Sequence, residues 1–200
     1  MAHGGCAEVC FPCQMSRTLH LVKHGQPHIL SGVPAHEWQL AEGALGGLPG
    51  LISRLRPRPE VVVSSEEPKA VSTAQALATE LGVPHRRMLG LHEQLRYTVP
   101  LYPEPADFQA ALDRFFDHPA QVMFGEESAD DARRRFANAV GAVMSRQTGD
   151  SVAIVAHGTV ISLLVAHAGD LDPKPLWRHL NLLDVLTLEW PALQLREPLS

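Results

Sequence analysis

From Thr18 onward, short apolar runs alternate with longer stretches of helical periodicity, the rhythm of an α/β layered domain built on a largely parallel sheet. Five runs have strand character: TLHLV (18–22), EVVVSS (60–65), HRRMLGL (85–91), SVAIVA (151–156) and DVLTLEW (184–190). VVV and VAIVA are apolar at every position, which predicts strands buried on both faces, as central parallel strands are. The last run is expected at an edge, running in the opposite direction. Ala70, Thr73, Ala74, Leu77 and Leu81 recur at helical spacing behind Pro68, a residue the first turn tolerates because its missing N–H has no partner there. A second helix is expected to begin at Ser128, whose hydroxyl can cap the turn, with Asp131 three residues on. Asp130 and Asp131 suit the positive end of that helix, and its buried stripe is predicted as Ala132, Phe136, Ala139, Val140 and Val143. Between Tyr97 and Gly125 the pattern changes. Prolines at 100, 103, 105 and 119 bracket one amphipathic piece, Phe108 to Phe116, read as an insertion after the third strand that forms a lid.

Composition adds limits rather than detail. Two hundred residues with 45% hydrophobic content suffice for one domain, placed at 18–200, with residues 1–17 as a flexible leader. A net charge of -5 without a basic stretch excludes general nucleic-acid binding. Neither a secretory signal nor an apolar segment of membrane-spanning length is visible, so no membrane partner and a cytoplasmic location are expected. All three cysteines, Cys6, Cys10 and Cys13, lie in the leader. Their spacing resembles the iron–sulfur motif of radical-SAM enzymes, but those place it inside a barrel made from a much longer chain. Here it precedes the first strand in an aperiodic leader, so no cofactor is expected, and Met15 is an alternative start.

The chemistry lies in a repeated context. LHLVK and VAIVA each run into a His-Gly pair, His24-Gly25 and His157-Gly158. If the two strands are neighbours, both imidazoles converge at the carboxyl edge of the sheet, where open α/β folds bind ligands. Each glycine lets the backbone turn sharply there and approach a ligand closely. A metal site built from His20, His24 and His28 is disfavoured. On a strand, residues four apart are separated by roughly 13 Å at about 3.3 Å per residue, too far to share one ion. His20 is read as a strand residue and His28 as a loop residue near the mouth of the site.

Five segments, in order, resemble the histidine phosphatase (phosphoglycerate mutase-like) superfamily. Lys23-His24-Gly25 resembles its Arg-His-Gly opening, and Ser65-Glu66-Glu67-Pro68-Lys69-Ala70 with Thr73-Ala74 resembles its Ser-x3-Arg-Ala-x2-Thr-Ala helix. Leu91-His92-Glu93 looks like the segment that bears the family's acid. Gly125-Glu126-Glu127-Ser128 resembles its Gly-Glu-Ser, and Val155-Ala156-His157-Gly158 its second histidine. The resemblance implies a three-layer sandwich with a mostly parallel central sheet and a phosphomonoesterase that works without metal on a small phosphorylated metabolite or phosphoprotein. It also implies that His24 is the nucleophile, Glu93 the proton donor with a raised pKa, and His157 a stabiliser of the phosphoryl group, with Lys23, Lys69 and Gly158 binding phosphate. No Walker-type loop or carboxylate cluster for a divalent metal is apparent, consistent with a cofactor-free hydrolase.

Both arginines of the family pattern are lysine here, at Lys23 and Lys69, which replaces a planar fork by a hydrated point charge. The Asn that many members carry after the first motif is missing, since Leu30 and Ser31 occupy that region. Pro34, Trp38, Leu40 and Gly43 match a segment of a lysine-bearing branch, and helix packing accounts for them equally well. A phosphate-binding pseudoenzyme and a phosphoglycerate-type mutase are the alternatives. Arg96, Tyr97 and Tyr102 flank the acid and enter the lid segment, as candidates to touch the leaving group.

Overall fold

A computed structural model describes residues 16–196. The leader's cysteines and Met15 lie outside the described residues.

Among the described residues, six strands form one sheet in the order β3-β2-β4-β1-β5-β6. They are β1 (Arg17–Lys23), β2 (Val61–Ser64), β3 (His85–Arg87), β4 (Ser151–Ala156), β5 (Val185–Trp190) and β6 (Gln194–Leu195). The first four are mutually parallel, and β5 runs antiparallel to β1. The fifth run thus has the expected reverse direction, but it is not the edge, because β6 pairs outside it. The third run is shorter than expected. It stops at Arg87, and the chain then turns through Gly90, whose φ of 86° lies in the left-handed region that glycine tolerates.

Helices cover both faces and complete the three layers: α1 (Leu48–Arg54), α2 (Pro68–Leu81), α3 (Pro105–Asp117), α4 (Ala129–Arg146), α5 (Gly158–Gly169) and α6 (Pro173–His179). Alternation along each strand sorts the core. Leu19, Leu21, Val61, Val63, Val152 and Ile154 face a cluster that holds Phe115, Phe136 and Ile161 of α3, α4 and α5. Val22, Val62, Ala153 and Val155 face Leu51 of α1 and Ala74, Leu77 and Leu81 of α2. The predicted stripe of α4 is buried throughout, and Ser128 accepts from the Asp131 N–H at 3.2 Å. Pro68 opens α2, and Gly82, at φ 61°, closes it.

Helix α5 shows no amphipathic pattern because it is buried continuously from Gly158 to Ala166. The expected lid piece is α3. Its Leu112, Phe115 and Phe116 join the core, while Phe108 reaches the functional cleft. His20 is a fully buried strand residue, its ring nitrogens 2.8 Å from the Pro57 carbonyl and 3.0 Å from Thr187 Oγ1. Among the described residues, no helix is long and apolar enough to cross a membrane.

Candidate active site

Pairing of β1 with β4 sets the centre of the site. Lys23 lies opposite Ala156, and the His24 N–H continues the ladder to the Ala156 carbonyl at 3.1 Å. One residue past each strand, the two imidazoles therefore meet with ring centroids 5.1 Å apart at 62°. The chain turns at Gly25, whose N–H donates to Thr73 Oγ1 at 3.0 Å and so ties the first His-Gly to α2.

His24 is 6% exposed, and its Nδ1 lies 2.7 Å from the Gly25 carbonyl oxygen. A carbonyl can only accept, so Nδ1 carries the proton and Nε2 keeps its lone pair. Burial is the main influence on its titration and, despite the Gly25 carbonyl, lowers its pKa to about 4, with Lys69 acting in the same direction. The ring is neutral at pH 7. His157, fully buried at the N-terminus of α5, has Nε2 2.9 Å from Ser65 Oγ and 3.5 Å from Glu67 Oε1, while Nδ1 has no partner. Burial, then the charges of Lys69 and His24, hold its pKa well below the ordinary histidine value.

Glu93 sits across the N-terminal turn of α5. Its carboxylate lies 3.3 Å from the N–H groups of both Thr159 and Val160 and accepts from the Gln94 N–H at 3.0 Å. Arg96 Nη2 lies 3.8 Å away. Burial alone pushes the Glu93 carboxyl up, but Arg96, His157 and the Gln94 N–H outweigh it and hold the pKa below the usual glutamate value. The raised value expected from the sequence is therefore corrected for the free protein, where donors gathered around the carboxylate favour its charged form.

Both lysines already have protein partners. Lys23 Nζ donates to the Leu180 carbonyl at 2.7 Å, and desolvation lowers its pKa. Lys69 Nζ donates to the Ala35 carbonyl at 2.8 Å and pairs with Glu67. Glu67 is a residue that the sequence pattern missed, since it falls at a variable position of the helix motif. Its other oxygen accepts from the Glu93 N–H at 2.8 Å, so one buried carboxylate joins Lys69, His157 and the loop of the acid.

Arg135 of α4, also missed, braces that loop. It donates to the carbonyls of Gly90, His92 and Glu93 at 2.8, 2.9 and 3.0 Å, and pairs with Glu127, which accepts from the Leu95 N–H. Helical periodicity marks Arg135 as a polar-face residue, and nothing local in the sequence reveals its partners more than 40 positions away.

A cleft of about 190 Å³ gathers Lys23, His24, Lys69, Glu93 and Gly158, with His157 packed against His24. Its walls are His36, Trp38, Tyr97, Phe108 and Trp177. Arg96 and Tyr97 reach the cleft, whereas Tyr102 packs against Phe108, centroids 5.7 Å apart. His28 is an exposed loop residue whose N–H donates to the Gln39 carbonyl at 2.8 Å. Among the described residues, no three His, Cys, Asp or Glu side chains cluster to hold a metal ion.

The fold is of the α/β class with a mostly parallel sheet, and the two histidines, the acid and the cations meet at the carboxyl edge of its central strands. The chain belongs to the histidine phosphatase superfamily (branch 1), whose family model matches residues 19–194. Among solved structures, a mycobacterial glucosyl-3-phosphoglycerate phosphatase is 21% identical over 91% of this chain and 97% of its own, with a TM-score of 0.69. A phosphoserine phosphatase from Entamoeba histolytica, in complex with 3-phosphoglyceric acid, is 14% identical over 92% and 96%, with a TM-score of 0.71. A mycobacterial hydrolase is 20% identical over 93% and 99%, also at 0.71. No curated protein matches the sequence.

Proposed function

We propose that the protein hydrolyses the phosphoester of a small phosphorylated metabolite or phosphoprotein through a phosphohistidine at His24, without a metal ion. The observation that carries this reading is the hydrogen bond from His24 Nδ1 to the Gly25 carbonyl, which aims a neutral Nε2 lone pair from a fixed ring. In the first step Nε2 forms a bond to phosphorus, the ester P–O bond breaks, and the leaving alkoxide takes the proton of Glu93. In the second, the Glu93 carboxylate takes a proton from water as its oxygen attacks phosphorus. The P–N bond breaks, neutral His24 is restored and inorganic phosphate departs.

Glu93 must be protonated for the first step although it is charged in the free protein. A bound phosphoryl group supplies the change, since a second anion beside the carboxylate raises its pKa. Lys23, Lys69 and Gly158 line the same space, with His157 packed against His24, and together they favour charge on the transferring oxygens.

Brief incubation with a labelled phosphomonoester, chelator present, is expected to give an acid-labile, alkali-stable phosphoenzyme that His24→Ala abolishes. Label retained by that variant overturns the assignment. The pairing of Lys69 with Glu67 favours one second reading, a phosphate-binding pseudoenzyme, because it offsets a cation of the clamp. Phosphate or vanadate binding without hydrolysis of any ester in a broad panel would support that reading instead.

A further inference from the structure

We propose that Arg96 supplies the guanidinium grip on the transferring phosphoryl group that the lysines at 23 and 69 do not provide. The inference rests on the phosphatase reading above and adds a substrate-contacting residue to it.

Of the three cations that line the cleft, Lys23 already donates to the Leu180 carbonyl, and Lys69 to the Ala35 carbonyl and Glu67. Arg96 is differently placed. Its Nη1 is buried and has no hydrogen-bond partner, and Nη2 approaches Glu93 Oε2 at 3.8 Å, beyond hydrogen-bond distance. A buried guanidinium N–H without an acceptor is costly, so Arg96, a residue of the cleft wall, keeps a donor that a ligand oxygen would satisfy.

Its plane is set from behind by Phe108 of α3, 5.1 Å from the guanidinium carbon to the ring centroid. Glu93 stands between Arg96 and the N-terminus of α5, which places the guanidinium beside the carboxyl that exchanges protons with the phosphoester. A planar fork matches two phosphoryl oxygens at once, the geometry that an ammonium lacks. The lid helix thereby acquires a role. By packing Phe108 on Arg96, it orients a phosphate ligand contributed by the acid's own loop.

Binding of inorganic phosphate to the full chain, read by calorimetry and by competition with vanadate, tests the assignment without turnover or a leaving group. Arg96→Ala is expected to weaken phosphate and vanadate on the order of a hundredfold, and to lower kcat/KM equally for esters of alkyl, aryl and carboxylate-bearing alcohols. Arg96→Lys is expected to recover part of the loss by restoring charge without the fork. Thermal melting confirms that each variant is folded. Unchanged phosphate binding in Arg96→Ala, with loss confined to esters of anionic alcohols, overturns the proposal and makes Arg96 a leaving-group contact. Failure of the wild-type chain to form phosphohistidine would sink the hydrolytic mechanism while leaving the phosphate-binding comparison readable.

Discussion

The two His-Gly pairs are identical in sequence and opposite in construction. After His24 the chain turns into a loop, the Gly25 carbonyl holds the ring's Nδ1, and Nε2 is left bare. After His157 the chain enters α5 at once, the Ser65 hydroxyl holds Nε2, and Nδ1 is the nitrogen without a partner. The difference comes from the residues immediately after each pair. Gln26-Pro27 opens a loop, whereas Thr159-Val160-Ile161 continues into an apolar helix. One ring is presented as a lone pair with a fixed tautomer, the other as a polar group at a helix N-terminus, where anions are favoured.

The largest contrast is expected from removing each ring. His24→Ala should eliminate phosphoenzyme and turnover together. His157→Ala should still form phosphoenzyme in single-turnover labelling, with kcat lowered by about 10²–10³-fold, the usual effect of losing one stabilising donor. Equal losses in the two variants would erase the distinction.

Lys69→Ala comes next. It removes a cation and leaves Glu67 unpaired beside His157, so kcat/KM should fall on the order of a hundredfold, about 2.7 kcal/mol. Lys69→Arg, which keeps the charge, should stay within roughly tenfold of the parent. No change in the alanine variant would remove Lys69 from the site.

The glycines sharpen the comparison further. A Cβ on Gly25 would lie 3.0 Å from the backbone oxygen of Ala44, which cannot easily yield, so Gly25→Ala should lower stability by about 1–3 kcal/mol in denaturant titration. On Gly158 the nearest atoms are the flexible end of Lys23, at 3.2 and 3.3 Å. Gly158→Ala should therefore keep its melting temperature and lose about tenfold in kcat/KM as the ammonium is displaced.

The smallest effects concern pH. Catalysis needs neutral His24, so the acid limb of the kcat/KM profile should fall through about pH 4 instead of near 6.5. Stability follows the same titration. The unfolded chain binds this proton below pH 6.5 and the folded chain only near 4, so stability is full above 6.5 and declines as pH falls toward about 4. Melting curves at pH 7 and 5 should show the decline, and His24→Asn should flatten it. The depressed His157 adds to the slope with the same sign, so His157→Asn should flatten it too.

Local pattern carried much of this. Strands β1, β2 and β4 and helices α2 and α4 are legible because each has a continuous apolar run or a one-sided stripe. The convergence of His24 and His157 is expected on the condition that their strands are neighbours, which the pairing of β1 with β4 meets. What escaped is non-local or lacks periodicity. Helix α5 is apolar on all sides, so no stripe declares it, and α1 and α6 are two turns each. Glu67 looks like any solvated residue at a helix start until Glu93 and His157 arrive from 26 and 90 positions away. The contacts of the Glu93 carboxylate with the N–H groups of Thr159 and Val160 come from more than 60 positions away, and no motif around Leu91 encodes them.

The sheet's margins bear on behaviour in concentrated solution. Among the described residues, one outer strand, β3, has three residues, and the other, β6, has two. Exposed strand edges are templates for adding a strand from another molecule, and short ones offer few free N–H and C=O groups in register. The long, apolar β1 and β4, the segments most able to recruit a neighbour, are enclosed between β2 and β5. The arrangement that brings the two histidines together also shields the most adhesive part of the chain from intermolecular β-pairing.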